Sequence, residues 1–99
     1  MTFEIRREIK DKIRIGGHVI TIEEQKNFAR DHNNFGEWQP IPLKIIIDAD
    51  LPESLKNETI MHEILEAVTQ LYDIDIKHHK LEVLAVVLYQ IFSDKSEEK

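Results

Sequence analysis

Short runs in which apolar and polar residues alternate occupy the first half of the chain. The segments Lys12–Ile15 and His18–Ile22 are rich in β-branched residues and alternate in part. Between them, Gly16 and Gly17 form a two-residue loop in which both positions can take positive φ. This pattern predicts a β-hairpin.

Two further strands are predicted after the hairpin, at Phe35–Gln39 and at Leu43–Ile47. Pro40 and Pro42 separate them, and because proline donates no backbone hydrogen bond, that stretch must lie at a sheet edge or in a turn. The intervening segment 23–34 fits either a short helix or an irregular excursion, and its pattern does not choose between them.

The second half of the chain has helical periodicity. One apolar arc runs from Glu58 to Tyr72, after a helical start near Asp50-Leu-Pro-Glu53 in which proline suits the first turn. A second helix is predicted at His78–Phe92, and it is apolar on nearly every side. The short connection makes the two helices antiparallel neighbours. The predicted fold class is α+β, a small, mainly antiparallel sheet with a helical hairpin packed on it.

Length and composition limit the functional classes. The 99 residues allow one domain, predicted at residues 1–92, followed by a charged and disordered tail at 93–99. The chain has no cysteine, which excludes disulfides and thiolate chemistry. No apolar run is long enough for a membrane span, and a net charge of −6 argues against nucleic acid as a partner.

The segment Met61-His-Glu-Ile-Leu-Glu66 is the one motif that carries chemistry. In a helix, His62 and Glu66 lie one turn apart on the same face, so both can bind one metal ion. Glu63 is about 100° around the helix and can reach a water beside that ion. The arrangement follows the logic of H-E-x-x-H zinc sites, with Glu66 in place of the second histidine. The alternative is that all three residues form the solvated face of an amphipathic helix.

The neighbouring segments resemble those of the small zincin-type metallopeptidases, especially the short ImmA/IrrE-like forms of bacteriophages. The resemblance covers roughly residues 35–72 and rests on Lys44-Ile-Ile-Ile-Asp48, Asp50-Leu-Pro-Glu53 and Thr59-Ile-Met-His-Glu63, which follow one another at the family's spacing. The strand start Gly36-Glu-Trp38 is similar as well. The chain departs from the family at Glu66, giving an HExxE variant of the motif.

The resemblance implies a minimal zincin-like fold, a zinc ion and a third metal ligand from the downstream helix. His78 and Glu82 repeat the i, i+4 arrangement of a histidine and a glutamate there, and either can approach Glu66 in an antiparallel hairpin. Three protein ligands leave a position for water, whereas four close the site. Glu82 is also the only charged residue between Leu81 and Phe92, so it needs a partner.

Two functions are compatible with these features. The first is a zinc-dependent hydrolase, peptidase-like, with Glu63 as general base and an extended substrate lying beside the edge strand Lys44–Ile47. The second is a phage-type accessory protein that keeps the scaffold without hydrolysis and binds a host protein or a small ligand. We also expect a cytoplasmic location, in the host if the protein is phage-encoded, and a homo-oligomer formed through the second helix at Val83, Val86, Val87 and Gln90.

Overall fold

A computed structural model describes the backbone of residues 11–97 and the side chains of residues 11–91. It contains four strands and three helices within that range. In chain order these are β1 (Lys12–Ile15), β2 (His18–Gln25), α1 (Phe28–His32), β3 (Gly36–Gln39), β4 (Lys44–Asp48), α2 (Glu53–Leu71) and α3 (His78–Glu97).

The four strands form one mixed sheet in the order β1-β2-β4-β3. The pairs β1/β2 and β3/β4 are antiparallel, and β2/β4 is parallel. The predicted α+β class is therefore confirmed, with two antiparallel pairings out of three. The parallel pairing arises because α1 and β3 lie between β2 and β4 in the sequence and bring the chain back to the same end of the sheet.

Strand β4 lies inside the sheet, which corrects the prediction that Lys44–Ile47 forms an edge. Ile45, Ile46 and Ile47 are all buried. A continuous apolar run of this kind is typical of a strand that is covered on both faces. The edge strand next to it is β3, and no other strand of the described chain pairs with the outer side of β3.

The hairpin between β1 and β2 is confirmed, with Ile15 paired to His18. Its loop differs from the prediction in one respect, because Gly16 has a positive φ of 59° and Gly17 does not. A side chain at Gly16 would also collide with the hydroxyl of Tyr72. The end of α2 therefore covers this turn, which ties the helical half of the protein to the hairpin.

Of the two alternatives for residues 23–34, the structure has a short helix. Strand β2 continues to Gln25, and α1 follows with left-handed residues at both ends, Asn27 and Asn33. The buried Asp48 at the end of β4 accepts hydrogen bonds from the backbone N–H groups of Ala29 and Asp50, both at 2.7 Å. These two bonds hold the pKa of Asp48 below its ordinary value.

Helix α2 packs on β3 and β4, and α3 packs against α2 as the second member of an antiparallel hairpin, around one apolar core. Ile20, Ile45, Ile47, Ile60, Ala67 and Ala85 are among its buried members. Gly36 lets α2 approach β3 closely, because a Cβ at this position would lie only 2.8 Å from Cγ2 of Thr59. This contact sets the distance between β3 and the helix that carries the His-Glu motif.

The second helix extends further than predicted. Helix α3 ends at Glu97 instead of Phe92, so the charged segment for which we predicted disorder is helical up to that residue. Serine and charged residues are compatible with helix in this position, whereas the sequence argument took the loss of apolar residues as the end. Residues 98 and 99 lie outside the described residues. None of the helices in the described range is long and apolar enough to cross a membrane.

Candidate metal centre

Three side chains from two helices converge on one point. Oε1 of Glu66 lies 3.5 Å from Nε2 of His62 and 3.2 Å from Nδ1 of His78. The two imidazole rings meet edge to face, with their centroids 5.1 Å apart. One ligand atom from each of the three residues lies within 4.8 Å of the others, a spacing that one metal ion can span. The predicted pair His62 and Glu66 is therefore joined by His78.

The turn between the helices explains how His78 reaches Glu66. Helix α2 ends with Asp73 in a left-handed conformation, φ 54°. The N–H of Ile74 bonds to the carbonyl of Thr69 at 2.8 Å, and the N–H of Asp73 lies 3.4 Å from the carbonyl of Gln70. This is the Schellman arrangement that ends many helices. It reverses the chain within a few residues, so that the first turn of α3 lies beside the last turns of α2.

Glu82 lies on the other side of the His78 ring and outside the converging group. Its Oε1 is 3.0 Å from Nε2 of His78, whereas Nδ1 of the same ring faces Glu66. A carboxylate in this place accepts the Nε2 proton and leaves Nδ1 as the lone-pair donor. Of the two residues that the sequence offered as a third ligand, His78 converges with His62 and Glu66, and Glu82 contacts the opposite nitrogen of the His78 ring.

His62 is half-buried on α2, and its environment favours the neutral ring. Burial is the main cause that lowers its pKa, and the nearby His78 adds to the effect, while Glu66 acts in the opposite direction. A histidine binds a metal only through an unprotonated nitrogen. The lowered pKa therefore prepares His62 for a role as a ligand near neutral pH.

Glu63 is the most buried acidic side chain at this site, with 8% of its surface exposed. Burial, followed by the negative charges of Glu66 and Glu37, raises its pKa to about 7. Its carboxylate also accepts a hydrogen bond from the backbone N–H of Trp38, which acts in the opposite direction. Near neutral pH it therefore both gives and takes a proton readily, as a general base does.

The hydrogen bond from Trp38 depends on the register of β3. The carbonyl of Phe35 accepts a bond from the N–H of Asp48 at 2.9 Å. Because bonding alternates along an antiparallel pair, Glu37 and Gln39 also direct their backbone groups towards β4. The backbone groups of Gly36 and Trp38 then point away from β4, towards the free edge and α2. The indole of Trp38 donates a further hydrogen bond to Gln70 of α2.

These residues lie in a cleft of about 560 Å³ between the edge of β3 and the helical hairpin. The cleft runs along α2 from Leu55 to Glu66, and its other walls come from 34–38 and from the first turns of α3. It is lined by two histidines and five glutamates, Glu37, Glu58, Glu63, Glu66 and Glu82. The sequence analysis does not identify Glu37 and Glu58 as site residues. The only signal in the sequence that could have done so is their proximity to Trp38 and His62.

The remaining histidines of the described chain do not join the cluster. The ring of His32 stacks on Phe28, with centroids 4.4 Å apart. His18 lies in the hairpin between β1 and β2, and the exposed His79 is not one of the three converging residues. The group of candidate ligands therefore includes His78 and not His79. Substitution of His79 is a control for substitution of His78.

Comparison of the chain with protein-family models, with curated proteins and with solved structures found no match. The geometry of the site is therefore the basis for the functional argument. Two imidazole nitrogens and one carboxylate oxygen form a donor set that suits zinc, and a buried glutamate stands next to them. Such a group can hold a metal and move a proton beside it.

Proposed function

We propose that the protein is a zinc-dependent hydrolase of the zincin type that acts on peptides. The observation that carries the proposal is the convergence of His62, Glu66 and His78 beside the buried carboxylate of Glu63. A solvated helix face would not need the third residue from α3, nor a glutamate tied to the edge strand. The resemblance to small zincin-type metallopeptidases adds the expectation of zinc and of a peptide substrate.

In this proposal His62, Glu66 and His78 hold the metal, and Glu82 orients His78. Three protein ligands are typical of catalytic zinc sites, which keep a fourth position for water or substrate. A zinc ion supplies a Lewis acid that polarises the peptide carbonyl and acidifies a water. The carboxylate of Glu66 would lower the net charge of the loaded site relative to three histidines, so a bound metal would be a weaker Lewis acid than in such a site.

Glu63 acts as the general base. It takes a proton from the water as the water oxygen attacks the carbonyl carbon of the scissile bond. The same carboxyl then returns a proton to the leaving nitrogen as the C–N bond breaks. The pKa of about 7 belongs to the metal-free protein, and a metal cation beside Glu63 would lower it and favour the ionised base. The N–H of Trp38 interacts with this carboxylate and favours its ionised form.

The substrate lies along β3, which replaces β4 as the proposed docking edge. An extended peptide adds to a sheet through the outward backbone groups of the edge strand. On β3 those groups are the N–H and C=O of Gly36 and the C=O of Trp38, and both residues line the cleft. Because Glu63 already accepts the N–H of Trp38, the chemical step takes place at that end of the strand.

Metal analysis and a peptide-hydrolysis assay on protein purified without a His-tag test this function. We expect about one zinc per chain and hydrolysis of a quenched-fluorescence peptide library. The Glu63→Gln variant should keep the metal and lose hydrolysis, because only the base is removed. Protein without a stoichiometric transition metal, or hydrolysis that survives Glu63→Gln, would contradict the proposal.

A second candidate function, binding without hydrolysis, is favoured by the outer face of α3. Val83 and Val87 are 61% and 43% exposed and do not line the cleft, whereas Val86 does line it. An apolar face of this kind marks an interaction surface. The partner would be a host protein, a small ligand or a second copy of the chain. Zinc-loaded protein that cuts no peptide, and that loses an interaction on Val87→Glu, would favour this alternative.

We also propose that the protein works in the cytoplasm, of the host if it is phage-encoded, and associates with itself through α3. A domain of this size has little capacity to cover both faces of an apolar helix. Light scattering at tens of micromolar should give a mass above that of the 11.7 kDa chain. Val87→Glu should return it to the monomer, and a monomer in the native protein would contradict self-association.

A further inference from the structure

The cleft carries more negative charge than one divalent metal ion would neutralise. Five glutamates line it, and no lysine or arginine of the described chain does. A divalent cation offsets two of these charges. Three carboxylates, or two while Glu63 holds its proton, then remain to act on whatever enters the cleft. Low-dielectric walls strengthen such a field, which attracts groups of opposite sign.

Two of the five carboxylates, Glu37 and Glu58, are neither ligand, base nor orienting group in the proposed metal site, and Glu37 already accepts a hydrogen bond from the side chain of Gln39 at 2.6 Å. Glu58 lies one helical turn before His62 on α2 and is partly buried in the cleft wall. Within the described residues, none of the ion pairs involves Glu58. A half-buried carboxylate beside other negative charges is stabilised by a cation, and the described protein does not supply one.

Apart from Asn34 and Thr59, the side chains that line the cleft without belonging to the histidines and glutamates are largely apolar. Leu55 and Phe35 line it on one side, and Ala85 and Val86 line it from α3. Phe35 and Val86 are about half exposed. An apolar wall that ends in a carboxylate matches the side chains of lysine and arginine, whose methylene stems pack on apolar surface while the charged head stays with a partner.

The register between β3 and α2 places this position relative to the reacting bond. Gly36 faces Thr59, next to Glu58, and the backbone N–H of Trp38 bonds to Glu63. Two strand residues span about 7 Å, and four helix residues span about 6 Å. Two residues along β3 therefore cover about the same distance as four residues along α2. On this spacing, Glu58 lies about two peptide residues from the scissile bond next to Glu63.

We propose that the substrate is a basic peptide, and that Glu58 is the specificity-determining residue that binds a lysine or arginine side chain two residues from the scissile bond. This inference rests on the proposed function for the position of the bond. It extends that function because it names the class of substrate and assigns a role to a residue outside the metal site. The partner is a peptide side chain, since the free edge of β3 lies along the same cleft.

Peptide binding in the Glu63→Gln background measures specificity without hydrolysis. Fluorescein-labelled peptides that differ only in having Lys, Gln or Glu at the position two residues from the centre are titrated with zinc-loaded full-length protein, and anisotropy is read. We expect the Lys peptide to bind on the order of tenfold more tightly than the Gln peptide, and the Glu peptide to bind most weakly. The preference should shrink as salt is raised.

Glu58→Gln should abolish most of this preference, and Glu58→Lys should reverse it in favour of the Glu peptide. Glu53→Gln is the matched control, because Glu53 is exposed on the same helix and does not line the cleft, so its preference should stay native. Equal affinities for the three peptides, absence of binding, or the same loss in Glu53→Gln would overturn the inference.

The outcomes separate this inference from the proposed function. Protein that binds zinc and cuts peptides without regard to charge would overturn the role of Glu58 and leave the hydrolase intact. Protein that takes up no zinc and cuts nothing, yet prefers the Lys peptide in a manner that depends on Glu58, would overturn the hydrolase and support the binding site.

Discussion

Nδ1 of His78 lies 3.2 Å from Oε1 of Glu66, although the two residues are 12 positions apart and belong to different helices. This contact joins the start of α3 to the last turns of α2. It also joins a third side chain to the i, i+4 pair on α2, which gives a group of three candidate ligands. Substitution of His78 is therefore the most direct test of whether a metal binds at this site.

Replacing His78 with alanine should remove most of the zinc affinity. Loss of an outer-shell partner costs about 10- to 100-fold in zinc affinity, and we expect loss of a ligand to cost at least 100-fold. Isothermal titration with zinc measures the change. His79→Ala is the matched control, since His79 is the exposed neighbour of His78 and stays outside the cluster. Equal affinities in the two variants would count against the metal centre.

Glu82→Ala should weaken zinc binding without abolishing it. Glu82 holds Nε2 of His78 at 3.0 Å and does not reach the converging group, so its removal frees the ring to rotate but takes away no ligand. We expect a loss of about 10- to 100-fold in affinity. A loss as large as that of His78→Ala would mean that Glu82 is itself a ligand.

Glu66→His should bind zinc more tightly than the native chain. The change rebuilds the H-E-x-x-H pair on α2 and replaces a hard oxygen donor with a nitrogen donor that zinc binds readily. Competition with a chromophoric chelator gives the affinities of both proteins. If the variant takes up no zinc, the surrounding geometry is not a metal site.

The contribution of Glu63 to the stability of the metal-free protein should fall as the pH rises through the range in which Glu63 ionises. The carboxyl titrates near 4.5 when exposed and near 7 in the folded protein. Between these values the folded state holds a proton that the unfolded state has lost. The contribution of Glu63 to the free energy of unfolding therefore falls from pH 4.5 to pH 7, by at most about 3 kcal/mol, and stays low above pH 7. The lowered pKa of His62 acts in the opposite direction, so the effect of Glu63 is measured as a difference from a variant that lacks the carboxyl.

Glu63→Gln should lack this fall, because it carries no charge at any pH. Urea unfolding in the presence of a chelator should therefore show the variant to be more stable than the native protein at pH 8, with little difference at pH 4. Glu53→Gln, a change of the same chemistry at an exposed site, should follow the native pH dependence. Parallel curves for the native chain and Glu63→Gln would show that the burial of Glu63 does not govern this behaviour.

Gly36→Ala should destabilise the fold by about 1–3 kcal/mol, because the new methyl group overlaps with Cγ2 of Thr59 and approaches the carbonyl of Ile46. Chemical denaturation measures this loss. Thr59→Ser removes the methyl group and keeps the hydrogen bond from Oγ to the carbonyl of Leu55. In the double variant part of the stability should return. Strictly additive losses would mean that this contact does not set the spacing between β3 and α2.

Local patterns were sufficient to predict most of the secondary structure. The hairpin, the strand at 44–48 and the two long helices follow from β-branched runs, a Gly-Gly loop and helical periodicity. The pairing of β2 with β4 did not follow, because a parallel pair joins segments that are far apart in the sequence and leaves no local signal. For the same reason β4 was taken as an edge, although its run of three isoleucines is typical of a buried central strand.

The candidate site, too, could be predicted from the sequence only in part. Helical spacing was enough to place His62 and Glu66 together, since both lie on one helix. The choice between His78 and Glu82 depended on how the first turn of α3 faces α2, which the sequence leaves open. The hydrogen bond between Trp38 and Glu63 and the entry of Glu58 into the cleft required the three-dimensional position of β3.

The outer side of β3 also bears on how copies of the chain behave towards one another. Unpaired backbone groups at a sheet edge are a template for any extended strand, including one from an identical molecule. Here that edge is one wall of a cleft with five glutamates, and the whole chain has a net charge of −6. Electrostatic repulsion between two such edges opposes their pairing, so the carboxylates reduce aggregation through β3. High salt screens this repulsion and should increase edge-to-edge association.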